Sequence, residues 1–290
     1  EAADIQVSFI SSITIPDNFT LSNGAEYEVV DKAQKHVIMT KCESDSVSGV
    51  YTVAVTVEHE GITYTLTGFS SGCVGRFNLS GTITTFALSG PSDFLSTDAT
   101  TGVLFDKDKT KLICYPTGKA DTSYTVPASV RVLGNSSFFR SKNLTTIVLQ
   151  TGLTTIEEYA LSACDNLQTV NLPSTLTSID SWFLSYSKVE DVKVPESVTE
   201  LNYNFLTGCE ALKTLELPAS LTQANDYFCK NCTALESVTC KAVTPPPLKY
   251  TAFQNVVLAG VTLKVPSASV SAYETASFWK DFKKPFLTLP

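Results

Sequence analysis

Four places in this chain of 290 residues carry groups that could do chemistry. Gly68-Phe-Ser-Ser-Gly72 matches the G-x-S-x-G pattern that exposes a nucleophilic serine on a sharp turn between a strand and a helix, with a histidine as its base. The residues that follow, Cys73-Val-Gly-Arg-Phe-Asn-Leu-Ser-Gly81, read without a helical period, and the two histidines, His36 and His59, both precede Ser70 in a β-patterned stretch. Ser70 is therefore read as a loop residue, with a serine hydrolase as the remote alternative. Cys229-Lys-Asn-Cys232 is a CxxC, the spacing of redox pairs and half zinc sites, but a zinc ion needs two further ligands and no histidine follows His59. Asp106-Lys-Asp-Lys-Thr-Lys111 begins like a calcium loop, yet lacks the glycine at its sixth position and has Thr117 where a bidentate glutamate belongs, so it reads as a hairpin turn. Glu157-Glu158 could act as acid and base only in a pocket that separates their pKa values, and reads as outward, solvated charge. No catalytic or metal-binding residue and no cofactor is assigned.

The elements that carry these groups are set by a repeat. The last apolar residue before each break falls at Val126, Leu149, Leu172, Val194, Leu217 and Cys240, in steps of 23, 23, 22, 23 and 23 residues, and Pro127, Pro173, Pro195 and Pro218 follow four of them. A stretched copy ends at Val265-Pro266. Further columns keep step: Val130, Leu153, Leu176, Val198, Leu221; Leu133, Ile156, Ile179, Leu201, Ala224; Leu144, Leu167, Val189, Leu212, Leu235; and Ile147, Val170, Val192, Leu215, Val238. A bulky pair lies between the second and third of these, read as Ser137-Phe138, Ala160-Leu161, Trp182-Phe183, Phe205-Leu206 and Phe228-Cys229. Each copy has about six inward side chains worth roughly 1.5–3 kcal/mol apiece when buried, against about 1–2 kcal/mol of backbone entropy for every residue ordered. One copy cannot fold alone, but stacked copies share a core, so the chain must form a solenoid. In-out-in triplets such as Ile147-Val-Leu149 make short strands, and the proline after each strand ends the pairing because it has no N–H to donate. The columns also account for the thiols: Cys164, Cys209 and Cys232 share one column, Cys229 sits in the bulky column and Cys240 in the strand column, all as small buried hydrophobes. Pairing of Cys42 with Cys73 is left open.

The unit Leu212-Lys-Thr-Leu-Glu-Leu-Pro218, and equally Leu167-Gln-Thr-Val-Asn-Leu-Pro173, resembles the bacterial leucine-rich repeats of the BspA-like, treponemal type. Gly102-Val-Leu-Phe-Asp-Lys-Asp-Lys-Thr-Lys-Leu-Ile-Cys-Tyr-Pro116 is similar to the hairpin that opens such arrays, and the stretch from Leu263 to Phe282 to the closing cap of Bacteroidetes members. The likeness covers about 190 of the 290 residues. It implies a cell-surface or secreted protein that contacts host proteins, other cells or glycans, located outside the cell or on a bacterial outer membrane. A lipoprotein anchor upstream of Glu1 fits that picture, as does a first residue other than Met. Independently of the likeness, Ser267 or Ser269 could cap a short closing helix, with Val270, Tyr273, Phe278, Trp279 and Phe282 covering the exposed end of the core.

The expected fold is mainly β with short helical turns, in two domains. Residues 1–92 should form a small all-β, immunoglobulin-like sandwich of antiparallel strands, from alternation at Ile5, Val7, Phe9, at Val53, Val55, Val57 and at Ile62, Tyr64, Leu66, with a tight hairpin at Val57–Ile62. Residues 93–290 should form the solenoid with its hairpin cap and helical cap. A net charge of −8 with scattered Lys and Arg offers no footprint for nucleic acid, and no apolar run is long enough to span a bilayer. Between the inward columns two outward rows are expected on the sheet face: Val148, Asn171, Lys193, Glu216, Thr239 and Thr146, Thr169, Asp191, Thr214, Ser237. From these Thr169, Asn171, Asp191, Lys193, Thr214, Glu216 and Thr239 are the candidate binding residues for an extracellular protein or glycan. The expected function is noncatalytic adhesion; the alternative is a stalk that presents other domains.

Overall fold

The computed structural model describes residues 14–42 and 48–289, so the early alternation at Ile5, Val7 and Phe9 lies outside the described residues. The N-terminal part contains β1 (Asn18–Thr20), β2 (Glu26–Asp31), β3 (His36–Lys41), β4 (Gly49–Val53), β5 (Thr56–His59), β6 (Ile62–Phe69), α1 (Ser71–Ser80) and β7 (Ile83–Leu88). The hairpin forms as read: His59 pairs with Ile62, and Glu60 and Gly61, at φ 48° and 75°, make the two-residue turn. Among the described residues the strands do not pair as in an antiparallel, immunoglobulin-like sandwich. One sheet runs β1-β2-β3-β6-β5 with β3 and β6 parallel, a second pair joins β4 to β7 in parallel, and α1 lies between β6 and β7. Parallel neighbours need a crossover rather than a hairpin; between β4 and β7 it runs through β5, β6 and α1. Its helical stripe is short: Cys73, Val74 and Phe77 are buried, while Gly72 and Gly75 weaken the pattern. The capping residues define it better, with Ser70 at its start and Gly81, left-handed at φ 62°, at its end.

The solenoid opens with β8 (Leu95–Thr97), β9 (Leu104–Asp106) and β10 (Lys111–Cys114), the last two forming the expected hairpin. Each coil then contributes two short strands. The longer set is β11 (Ser123–Thr125), β13 (Thr146–Val148), β15 (Thr169–Asn171), β17 (Asp191–Lys193), β19 (Thr214–Leu217) and β21 (Ser237–Cys240), followed by β22 (Thr262–Pro266). The shorter set is β12 (Val132–Leu133), β14 (Thr155–Ile156), β16 (Ser178–Ile179), β18 (Glu200–Leu201) and β20 (Gln223–Ala224). All neighbouring coils pair in parallel where they pair at all. Leu167 and Leu212 are fully buried and Leu235 nearly so, in one continuous core that runs from Val103 to Phe286.

The third side of each coil is a turn whose ladder the sequence did not announce. Ser136, Tyr159, Trp182, Asn204 and Tyr227 occupy one left-handed position, and Arg140, Ala163, Tyr186, Gly208 and Asn231 another, four residues later. At nine of these ten positions the N–H donates to the next coil, as from Tyr159 to Ser181 O at 3.1 Å and from Ala163 to Ser185 O at 2.7 Å. The strain of a left-handed non-glycine residue is offset by these bonds. Trp182 therefore does not belong to the inward pair, which is Phe183-Leu184, both fully buried; Trp182 is half-buried and stacks on Tyr159 at 5.5 Å.

The closing cap consists of α2 (Val270–Thr275) and a strand absent from the sequence reading, β23 (Lys283–Leu289), which pairs with β22. Tyr273 donates to Ala242 O at 2.8 Å and Trp279 to Pro246 O at 2.8 Å, and both rings are buried. Neither Ser267 nor Ser269 caps α2 through its side chain; the buried rings hold the cap instead. At the other end the N-terminal part docks closely. Gly118 donates to Ile83 O at 2.7 Å, and a Cβ on Gly118 would sit 2.6 Å from the Thr82 carbonyl carbon, an approach only glycine permits.

Candidate binding surface

The chemically suggestive groups are engaged in local hydrogen bonds and packing. Ser70 does sit between a strand and a helix, but at φ −72° and ψ 159° it is an ordinary N-cap: its hydroxyl accepts from Cys73 N at 3.2 Å and donates to Thr40 O at 3.1 Å. His59 stacks on Phe19 at 4.4 Å and His36 meets Phe94 edge-on at 5.0 Å. Asp106 accepts from Thr110 N at 2.7 Å and Lys111 N at 2.9 Å, which closes the hairpin turn. Glu157 is not simply solvated: it pairs with Lys111 at 2.6 Å and accepts from Asn135 N at 2.8 Å.

The thiols of one column donate to backbone carbonyls of the preceding coil, Cys164 to Phe138 O at 3.1 Å, Cys209 to Leu184 O at 3.2 Å and Cys232 to Leu206 O at 3.2 Å. Burial pushes Cys164 and Cys209 up to about 12, so both stay protonated near neutrality. Among the described residues no group of three or more His, Cys, Asp or Glu is placed to hold a metal ion, and no helix is long and apolar enough to cross a membrane.

The two outward rows are present in register. Thr146 pairs with Thr169 and Val148 with Asn171; Asp191 pairs with Thr214 and Lys193 with Glu216; and Thr214 and Glu216 pair in turn with Ser237 and Thr239. The rows extend to Thr262 and Lys264. They are not continuous, however. One sheet ends at β15 and another begins at β17, so Thr169 and Asn171 belong to one and Asp191, Lys193, Thr214, Glu216 and Thr239 to the other.

The break has a local cause. The residue missing from the 22-residue step falls between Ser187 and Val189, at the position filled by Asn143 and Asn166 in earlier coils. Those two amides each donate to the previous coil, to Lys119 O at 2.7 Å and Lys142 O at 2.8 Å. Thr145 O, Glu190 O and Lys213 O each accept two N–H groups from the following coil, whereas here the one backbone bond at this level runs from Lys188 N to Leu167 O at 2.9 Å. The shorter strands separate at the same step, between β16 and β18, where Asn202 bridges to Ile179 O at 2.9 Å through its side chain. On the sheet face a cleft of about 370 Å³ results, lined by Val170, Asn171, Leu172, Asp191, Lys193 and Glu196 among others.

The BspA-type leucine-rich repeat model matches residues 119–236 in six copies. Among solved structures, the pneumococcal vaccine antigen PcpA is 15% identical, with 94% of this chain and 98% of that one covered at a TM-score of 0.63. A leucine-rich repeat protein from Eubacterium ventriosum is 19% identical, with 80% of this chain and 55% of that one covered at a TM-score of 0.56. At such identities the likeness is one of fold. No curated protein matches the sequence.

On the sheet face of the array the charges form a network that the rows alone did not reveal. Glu216 contacts Lys241 at 2.7 Å and Lys193 at 3.2 Å, and Lys241 reaches Glu196 at 3.0 Å. Hydrogen bonds from Lys241 and Lys193 hold the Glu216 carboxyl below its usual range. Burial alone would raise Glu196, but Lys241 and the Ala219 N–H bring it below its usual value. Glu196 and Lys241 were not among the expected site residues. Their signal was weak, because Glu196 lies three residues past β17 and Lys241 replaces a proline.

Proposed function

We propose that this chain is a noncatalytic, extracellular binding module that engages a protein ligand through the sheet face of its solenoid. The observation that carries this reading is the pair of outward rows, which hold polar side chains at fixed spacing on a rigid parallel ladder. Such an array offers one contact per coil at little entropic cost, because the backbone is already ordered. The BspA-type repeats and the fold shared with a vaccine antigen support display outside the cell, on a bacterial surface or after secretion. Residues 1–92 are proposed as a separate unit that seats the array rather than as part of the ligand face.

The test is a binding screen of the full chain against immobilised extracellular matrix proteins, with glycans as a parallel panel. Lys193→Glu places a third carboxylate beside Glu216 and Glu196, and it should weaken binding to the protein ligand about tenfold or more, the scale of a charge change inside an interface. Unchanged binding would remove the sheet face from the reading. Binding to glycans alone would replace the ligand class.

A further inference from the structure

The cleft between β15 and β17 does more than interrupt the rows. We propose that it is an anchoring pocket of the ligand face, which takes an apolar side chain of a protein partner with a basic residue beside it. This inference rests on the protein-binding reading above.

The first support is what the cleft exposes. In the strand columns Ile147, Val192, Leu215 and Val238 are buried, and so are Leu149, Val194, Leu217 and Cys240. Val170 and Leu172 occupy the same columns and are only partly buried, because the coil that should cover them stands away. Side chains placed to face the core thus reach solvent, with Pro195 as the opposite wall. Covering them with an apolar group would recover part of the burial energy that every other coil enjoys.

The second support is that the opening is a wedge rather than a general loosening. On the turn side the bonds across the same step are intact: Trp182 N to Tyr203 O at 2.9 Å, Leu184 N to Phe205 O at 3.1 Å and Tyr186 N to Thr207 O at 2.8 Å. Ser197 adds a side-chain bond to Leu176 O at 2.5 Å. The cleft is therefore held open by fixed elements on both sides. Its volume of about 370 Å³ lies within the range of about 300–1,000 Å³ typical of ligand pockets.

The third support is charge. Lys193, Glu216, Lys241 and Glu196 neutralise one another in the network on the cleft's edge. Asp191 also lines the cleft and accepts a hydrogen bond from Thr214; its cationic neighbour Lys213 is bonded to Glu190 at 2.6 Å and acts on Asp191 only through space. A cation next to the anchoring side chain would meet it. The lining contains no aromatic ring on which a sugar could stack, which favours a peptide segment over a glycan.

The experiment follows backbone amide shifts of the isotope-labelled full chain on addition of acetyl-Gly-Leu-Arg-Gly-amide, with the Leu-Glu and Ala-Arg analogues as controls. The Leu-Arg peptide should shift the amides of Val170, Leu172 and Lys193 saturably and bind at least about fivefold better than either control. Asp191→Asn should remove the preference for Arg over Glu while keeping that for Leu over Ala, and Leu172→Lys should abolish the shifts. One Asn inserted between Lys188 and Val189 restores the 23-residue step and should close the cleft with the same loss. If that insertion fails to fold, the two point variants decide. No saturable shift at the cleft, equal binding of all three peptides, or indifference to Asp191→Asn would overturn the proposal. A ligand lost on Lys193→Glu but retained by Leu172→Lys would sink the pocket and leave the sheet-face reading intact.

Discussion

The solenoid and the N-terminal part solve the same problem, burying apolar surface, by opposite routes. In the solenoid each coil packs on the next, so Phe183 meets Phe205 at 5.1 Å and Phe228 meets Phe253 at 4.8 Å, and the inward columns repeat from coil to coil. In the N-terminal part the core is assembled once, from Tyr27, Val37, Tyr51, Tyr64, Phe77 and Phe86, which come from six different elements. A nearest-neighbour array distributes its stability over equivalent interfaces, whereas a single core stands or falls as one. The two are also joined. Asn78 of α1 donates to Ser136 O at 2.6 Å and accepts from Cys114 at 3.3 Å, in the buried boundary between them.

The largest expected effect tests how local the array is. Phe205→Ala removes a fully buried ring and should cost about 3–5 kcal/mol. Hydrogen exchange should rise in the coils of Phe183 and Phe228 while the amides of Val37 and Leu66 keep their protection. Equal loss at Val37 would show that the two regions unfold as one unit. Asn78→Ala comes next. It removes the bond between α1 and the Ser136 carbonyl, which keeps only the one from Phe139 N, and should lower stability by about 0.5–1.5 kcal/mol, and thermal unfolding should split into two transitions. A single shifted transition would argue that the glycine contacts at Gly118 already couple the regions.

The smallest effect is one of pH and reports on the array alone. Burial raises the Cys164 and Cys209 thiols from 9.0 to about 12. The unfolded chain therefore gives up these protons first, so their contribution is whole below pH 9 and is lost as pH rises from there toward 12. The urea midpoint should hold steady from pH 7 to 8.5 and decline above pH 9. Cys164→Ser should flatten that decline in part without unfolding the chain, since Ser187 already occupies the same column. A midpoint that does not fall above pH 9 would mean these thiols are open to solvent.

Much of this was legible in the residues. Five columns at a nearly constant step required a shared core, and the buried ladder through Leu167, Leu212 and Leu235 is that core. The outward rows followed by alternation and appear in register. The N-terminal architecture was less legible, because its strands choose partners by contacts far apart in sequence. Alternation at Ile62, Tyr64 and Leu66 says that a strand exists, but not that it lies parallel to β3. The helix after Ser70 was misread because two glycines diluted its stripe, although Ser70 and Gly81 mark its ends.

What the sequence alone determined is the solenoid and the faces of its strands, because periodic burial is a local property that each strand repeats. Tertiary structure decided what happens between coils. Of the ten left-handed turn positions from Ser136 to Asn231, only Asn204, Gly208 and Asn231 carry residues that favour that conformation; six of the other seven adopt it with N–H groups that find carbonyls in the next coil. The step of 22 was visible as a number, yet its effect was not, since one absent residue acts by removing bonds to a neighbouring coil. Hydrogen bonding across coils fixes where the sheet divides, and with it which of the outward residues stand around a cleft.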